Sequence, residues 1–249
     1  MKIIGLVNVQ LAYVNNKVYI LEVNPRASRT IPFVSKALGV PLARVAAKVM
    51  AGKSLKDLKF QNVPNLEGFF VKEAVMPFSK FQNVDPILGP EMRSTGEVMG
   101  IGNSFAEAFE KAEVGAGVEI PKEGSVFISV RDTDKQFLSE IVPSLVEEDF
   151  NLIATKGTAS VIKNMGFKVS QIKKVIEGRP NIVDLMKNKE VNLVINTTEG
   201  RESILDSASI RRTALDEKIC CTTTIKGAKA ICEVITKKVD WSYRKLQDI

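Results

Sequence analysis

The chain has 249 residues, 45% hydrophobic and 26% charged, enough to bury one large core or two of ordinary size, and two domains fit best. Its formal charge of +6 and isoelectric point near 9.1 fit small anions better than nucleic acid, because the lysines are spread along helical faces and aromatics make up only 6%. Histidine is absent, which excludes Ser-His-Asp, Cys-His and His-ligated zinc chemistry and leaves carboxylates, lysines, arginines and metal to carry any catalysis.

Residues 3–14 and 17–23 carry apolar side chains near alternate positions around Asn15-Asn16, which predicts two strands joined as a hairpin. Residues two apart on a strand point the same way, so Glu22 and Asn24 share a face, and Gln10 on the partner strand can join them. A carboxylate and two amides make an oxygen-only set. It suits a hard cation that keeps waters and shares itself with nucleotide phosphates, which Arg26 and Arg29 would then face. Taken alone, a Glu-x-Asn pair is more often a solvated hairpin edge.

Pro41 stands where a first helical turn tolerates it, and Leu42, Val45, Ala46 and Val49 recur at helical spacing until Gly52. Residues 67–75 predict another strand and 85–96 a loop rich in proline and glycine. Ser104 caps a helix running to Val114, with Phe105, Ala108, Phe109 and Ala112 as its apolar stripe. Glycines, Pro121 and alternating charges over 115–124 predict a linker, so the domains are expected to divide near residue 120, as 1–120 and 121–249.

Beyond it, short apolar runs near 126–130, 151–154, 171–175, 193–196 and 219–223 alternate with helical patterns. This alternation predicts a doubly wound, Rossmann-like parallel sheet covered on both faces, with ligands gathered at the carboxyl ends of the strands. The three cysteines, Cys220, Cys221 and Cys232, have no metal-ligand spacing and are expected to be structural thiols, the adjacent pair on opposite faces of a buried strand. No apolar run approaches the roughly 20 residues of a membrane span, and residues 1–7 lack the apolar core and cleavage site of a signal peptide. A cytoplasmic protein with no membrane or nucleic-acid partner is expected.

At the predicted strand ends lie Lys135, then Thr155 to Thr158, then Lys174 with Glu177-Gly178-Arg179-Pro180, then Asn196-Thr197-Thr198. A Thr-x-Gly-Thr turn alone is more often a helix cap than a phosphate loop. Four polar strand ends on one rim make an anion pocket, with helix amides and hydroxyls donating to a phosphate and lysines neutralising it.

The run LEVNPRASRT at 21–30, continuing through IPFVSKALGVPLARVAAKVMAGKSL, resembles the last part of an ATP-grasp domain in the large subunit of carbamoyl phosphate synthetase. That subunit carries two homologous ATP-grasp halves, and residues 30–35 look like the second, which phosphorylates carbamate. The resemblance implies that Gln10, Glu22 and Asn24 bind divalent ions, magnesium or manganese, and that Arg26 and Arg29 serve the phosphate end of the ATP site. Residues 129–135 (SVRDTDK), 154–158 (ATKGT), 174–180 (KVIEGRP) and 196–201 (NTTEGR) resemble the methylglyoxal-synthase-like regulatory domain of the same family, which in bacterial members binds UMP or IMP. By that match Lys135, Thr155, Thr158, Lys174, Asn196 and Thr198 surround the phosphate, while Ser129, Arg201 and Asp206 lie nearer the ribose or base.

The fold so implied is α/β, a partial ATP-grasp α+β domain followed by the methylglyoxal-synthase-like sheet. Family membership further implies an ATP-dependent ligase forming carbamoyl phosphate for arginine and pyrimidine biosynthesis, partnered by an upstream large-subunit segment or chain and a glutamine amidotransferase small subunit. Alone, the chain is expected not to turn over. The rival reading is a standalone sensor of nucleoside monophosphates without a catalytic role. Methylglyoxal formation is not expected, because 177–180 read GluGlyArgPro and neither Arg179 nor Pro180 can act as a base. Some family members bind ornithine at positions matching Glu73 and Thr223. Here Thr222 stands where an acid might hold an amine, and the plain reading of Glu73 is a strand residue paired with Lys72 or another surface cation.

Overall fold

A computed structural model of the protein describes residues 2–60, 62, 65–76, 78, 85–86, 94–200, 204–205, 207–243 and 245. The chain forms two compact units, Met1–Gly68 with Ser242–Ile249, and Phe69–Trp241.

In the first unit, β1 (Asn8–Val14) and β2 (Lys17–Asn24) pair antiparallel. Asn15 and Asn16 turn the hairpin at φ of 51° and 60°, the left-handed pair that matches strand twist and that asparagine tolerates. The pairing begins at Asn8 rather than at residue 3. Helix α1 (Thr30–Leu38), which contains Pro32, has no counterpart among the elements expected from the sequence. Pro32 stands at the third helical position, where the missing N–H would have had no intrahelical partner anyway. Gly39, at φ 64°, ends α1, and α2 (Leu42–Met50) follows Pro41 as the sequence spacing predicts.

The second unit opens with β3 (Phe69–Val75) and β4 (Gly96–Gly102), an antiparallel pair covered by α3 (Phe105–Ala116). Strand β4 also escaped the sequence reading, since its glycines erase the apolar alternation. They serve packing instead: a Cβ on Gly100 would lie 1.8 Å from the Ala108 carbonyl oxygen, so α3 lies backbone to backbone on β4. Ser104 caps α3 by accepting from Glu107 N–H at 3.2 Å.

The boundary expected near residue 120 falls inside this unit. Ile120 is 3% exposed in its core, and Glu110 of α3 pairs with Lys122 and accepts from Trp241 Nε1 at 2.8 Å. Ile120 and Glu110 thus pack the stretch read as a linker within this unit.

Five strands then form a parallel sheet of order β7-β6-β5-β8-β9: β5 (Ser125–Ser129), β6 (Asn151–Thr155), β7 (Ser170–Ile172), β8 (Leu193–Asn196) and β9 (Cys220–Thr222). The connecting helices are α4 (Leu138–Glu147), α5 (Lys156–Asn164), α6 (Ile182–Lys187), α7 (Ala208–Asp216) and α8 (Ile225–Lys237). Alternate residues feed two cores. Val126, Ile128, Leu193 and Ile195 pack with Ile162 and Ile231 on one face, while Phe127 and Val194 pack with Met186 and Ile210 on the other. Burial on both faces explains why the strands read as unbroken apolar runs. Cys220 joins the first core and Cys221 borders the second, opposite faces as expected, and burial pushes both thiols up to about 12, which leaves them inert.

Glu73 is a strand residue as expected, but it is not the partner of Lys72. Lys72 pairs with Glu97 of β4 at 3.3 Å, on the face opposite to Glu73, whose half-buried carboxyl is raised by desolvation.

Candidate functional site

From β5 the chain order runs to β6 and β7 on one side and to β8 and β9 on the other, so a crevice opens at the carboxyl ends of β5, β6 and β8. Ser129, Thr155 and Asn196 are the last residues of those strands. A cavity of about 420 Å³ lies there, lined by Ser129, Lys135, Thr155, Thr158, Lys174, Asn196 and Thr198 among others. Seven of the nine nucleotide-site expectations thus share one cavity, while Arg201 and Asp206 lie outside the described residues.

Hydrogen bonds between elements fix the floor. Ser129 Oγ and Thr155 Oγ1 are 3.1 Å apart, Val130 N–H donates to Thr158 Oγ1 at 3.2 Å, and Arg131 N–H donates to Thr197 Oγ1 at 3.1 Å. Thr155 precedes α5 without a side-chain cap bond, so the first amides of that helix need other acceptors, a favourable place for an anion. Lys135 reaches over the same turn: its Nζ would stand 3.2 Å from a Cβ on Gly157. Asn196 is 1% exposed, and its buried Nδ2 has no hydrogen-bond partner among the described residues. An orphaned donor beside two lysines and a helix start describes an acceptor-rich guest.

The sequence reading assigned no role to other lining residues. Arg131, Asp132, Thr197 and acidic Glu199 stand within motifs it quoted, and Ser207 also borders the cavity. Ile176, Ile182 and Ile210 supply an apolar wall from the strand β7 side and from α6 and α7. Their common destination depends on topology, and no local pattern announces it.

The other expected cluster lies in the first unit. Gln10 is directly opposite Glu22 across the hairpin, so their side chains leave the same face, and a bulge follows at once between Gln10 and Leu11. Asn24 Nδ2 donates to Glu22 Oε1 at 2.8 Å. The three are therefore brought together, with Gln10 and Glu22 exposed. The donor set fits a hard cation, one carboxylate plus amide oxygens, with the Asn24 contact orienting the carboxylate. Among the described residues no three His, Cys, Asp or Glu side chains converge on a metal-binding point, so a site here depends on the amides. Arg26 follows β2, its N–H on Asn24 O at 2.8 Å and its Nη1 on Ala27 O at 3.1 Å, while Arg29 immediately precedes α1. Around them the hairpin exposes large apolar side chains: Leu11 is 58% exposed, Ile20 67% and Leu21 64%.

No described helix is long and apolar enough to cross a membrane.

Residues 1–58 match the family described as carbamoyl-phosphate synthase L chain, ATP binding domain, and residues 138–223 match the MGS-like domain. The chain is 57% identical over 249 residues to the carbamoyl phosphate synthase large chain of Pseudomonas putida KT2440, covering 99% of this chain and 23% of that one. The large chain of Pasteurella multocida is 53% identical over 246 residues, covering 98% and 23%. The chain thus spans about 23% of the length of the curated relatives it matches. A methylglyoxal synthase of Elizabethkingia anophelis NUHP1, 17% identical, aligns over 45% of this chain and 79% of its own with a TM-score of 0.39, too low to bear on the argument.

Proposed function

We infer that this chain, related along nearly its whole length to part of the carbamoyl phosphate synthase large chain, supplies two ligand sites to an ATP-dependent ligase that phosphorylates carbamate to carbamoyl phosphate. The first is a cation and ATP-phosphate site, and the second is a regulatory nucleotide pocket. The junction between the two segments is proposed near residue 120, between the two matched stretches.

Gln10, Glu22 and Asn24 would hold magnesium or manganese, which when bound neutralises the phosphates of ATP. Arg26 and Arg29 would donate to those phosphates and offset charge gathering on the moving phosphoryl group. In the second site Lys135, Lys174 and the first amides of α5 would bind the phosphate of UMP or IMP, with the Asn196 amide, Thr155, Thr158 and Thr198 completing its hydrogen bonds. Ser129, Arg201 and Asp206 would serve the ribose or base, and the apolar wall of Ile176, Ile182 and Ile210 suits the flat face of a base.

The reading rests above all on the convergence of two lysines, four threonines and an orphaned asparagine amide on one cavity at the crevice of a parallel sheet. The exposed apolar hairpin supports partnership with an upstream large-chain segment, and a glutamine amidotransferase subunit and a cytoplasmic setting go with that assembly. The test is reconstitution. Mixed with an upstream large-chain segment, ATP, magnesium, bicarbonate and ammonia, the chain should restore carbamoyl phosphate formation, and Glu22→Ala should abolish it. Formation that survives this substitution would remove the metal assignment; none with the parent chain would favour the sensor reading.

A further inference from the structure

The anion pocket already holds an anion of its own. Asp132 Oδ1 lies 2.6 Å from Lys135 Nζ, and Asp132 lines the same cavity as Lys135 and Lys174. The contact is imposed by the backbone: residues Asp132–Phe137 form a 3-10 helix, in which residues three apart eclipse one another, so the carboxylate is stacked over the lysine. Arg131 and Asp134, the neighbouring pair three apart, repeat the arrangement with Nε to Oδ2 at 2.9 Å. The two members of the Asp132–Lys135 pair differ in exposure. The Asp132 side chain is 92% exposed and the Lys135 side chain 25%, so the lysine is fixed by the pocket while the carboxylate can swing into water at little cost.

We propose that Asp132 is a tethered counter-anion that competes with the incoming phosphate for Lys135 and thereby sets the affinity and charge selectivity of the pocket. This rests on the phosphate-site reading above. A ligand oxygen that takes Lys135 must displace the Asp132 carboxylate or share the ammonium with it. A phosphomonoester dianion prevails where a carboxylate or other monoanion, no more charged than Asp132 itself, does not. The Asp132 carboxyl is held below its usual range by the hydrogen bond and charge of Lys135, and further by the charge of Lys174, so it is ionised throughout the neutral range. Near neutral pH the competitor is therefore a constant feature of the site.

The experiment is calorimetric titration of the full chain with UMP, IMP and acetate, comparing the parent with Asp132→Asn and Lys135→Ala, and with far-ultraviolet circular dichroism to confirm folding. Asp132→Asn should bind the better nucleotide roughly threefold to tenfold more tightly, the scale set by loss of the exposed ion-pair partner of Lys135. It should also gain measurable acetate binding. Unchanged or weaker nucleotide binding in Asp132→Asn, with the parent binding and Lys135→Ala impaired, would overturn the counter-anion role while leaving the phosphate site intact. An absence of heat with either nucleotide in parent and Asp132→Asn alike would overturn the site reading and this inference with it.

Discussion

The Val130 amide, just after β5, donates to Thr158 Oγ1 in the first turn of α5 at 3.2 Å, with Thr158 only 1% exposed. This bond ties the end of one strand to the helix that follows the next, across the floor of the nucleotide cavity. Thr158→Val keeps the shape but strands a buried N–H, so it should lower stability by about 1–3 kcal/mol and weaken nucleotide binding together. Chemical denaturation and titration on one preparation check both. A stable variant with normal binding would show that the bond matters to neither.

Asn24→Ala removes the amide that orients Glu22, and Mn²⁺ affinity followed by electron paramagnetic resonance should fall about tenfold to a hundredfold, the usual cost of losing a ligand or its orienting partner. Glu22→Gln, which removes the one carboxylate of the set, should fall further. Equal Mn²⁺ binding by all three proteins would place the cation elsewhere.

Gly100→Ala should destabilise the second unit by about 3 kcal/mol or more, because the new methyl group would meet the Ala108 carbonyl, a backbone atom that cannot turn aside. Thermal unfolding reads this directly. A parent-like Tm would mean that α3 can lift from β4.

A pH dependence follows from α3. Desolvation, then the charge of Glu73, raises the Glu113 carboxyl from 4.5 to about 7. The folded state therefore holds that proton more tightly than the unfolded state. Its stabilisation is full below about pH 4.5, declines as pH rises to about 7, and is gone above it. Allowing for the partial exposure of the group, the loss is about 1–2 kcal/mol. Glu113→Gln should remove this part of the profile and be more stable than the parent at pH 8. The same slope in both proteins would assign it to another group.

Much of the second unit was legible because parallel strands buried on both faces leave unbroken apolar runs, and because the crevice of such a sheet is fixed by topology. Seven polar residues could thus be assigned to one rim from motifs alone. Asp132 stands in the same run as Lys135, yet nothing in that run shows that its carboxylate meets the lysine, because the pairing needs the helical turn that residues 132–137 adopt. Strand β4 was hidden because its glycines answer to the α3 backbone, while Pro32 in α1 is harmless only at a helix start. Glu73 and Glu113 belong to different elements, and no sequence spacing relates them.

The central claim is that the crevice of the parallel sheet binds the phosphate of a nucleoside monophosphate, and titration with UMP and IMP tests it most directly. Saturable binding of at least one is expected, weakened by about 1.5–3 kcal/mol in Lys135→Ala, the scale of a charge-assisted hydrogen bond. Binding of equal strength in parent and Lys135→Ala, or no binding of either nucleotide, would contradict it.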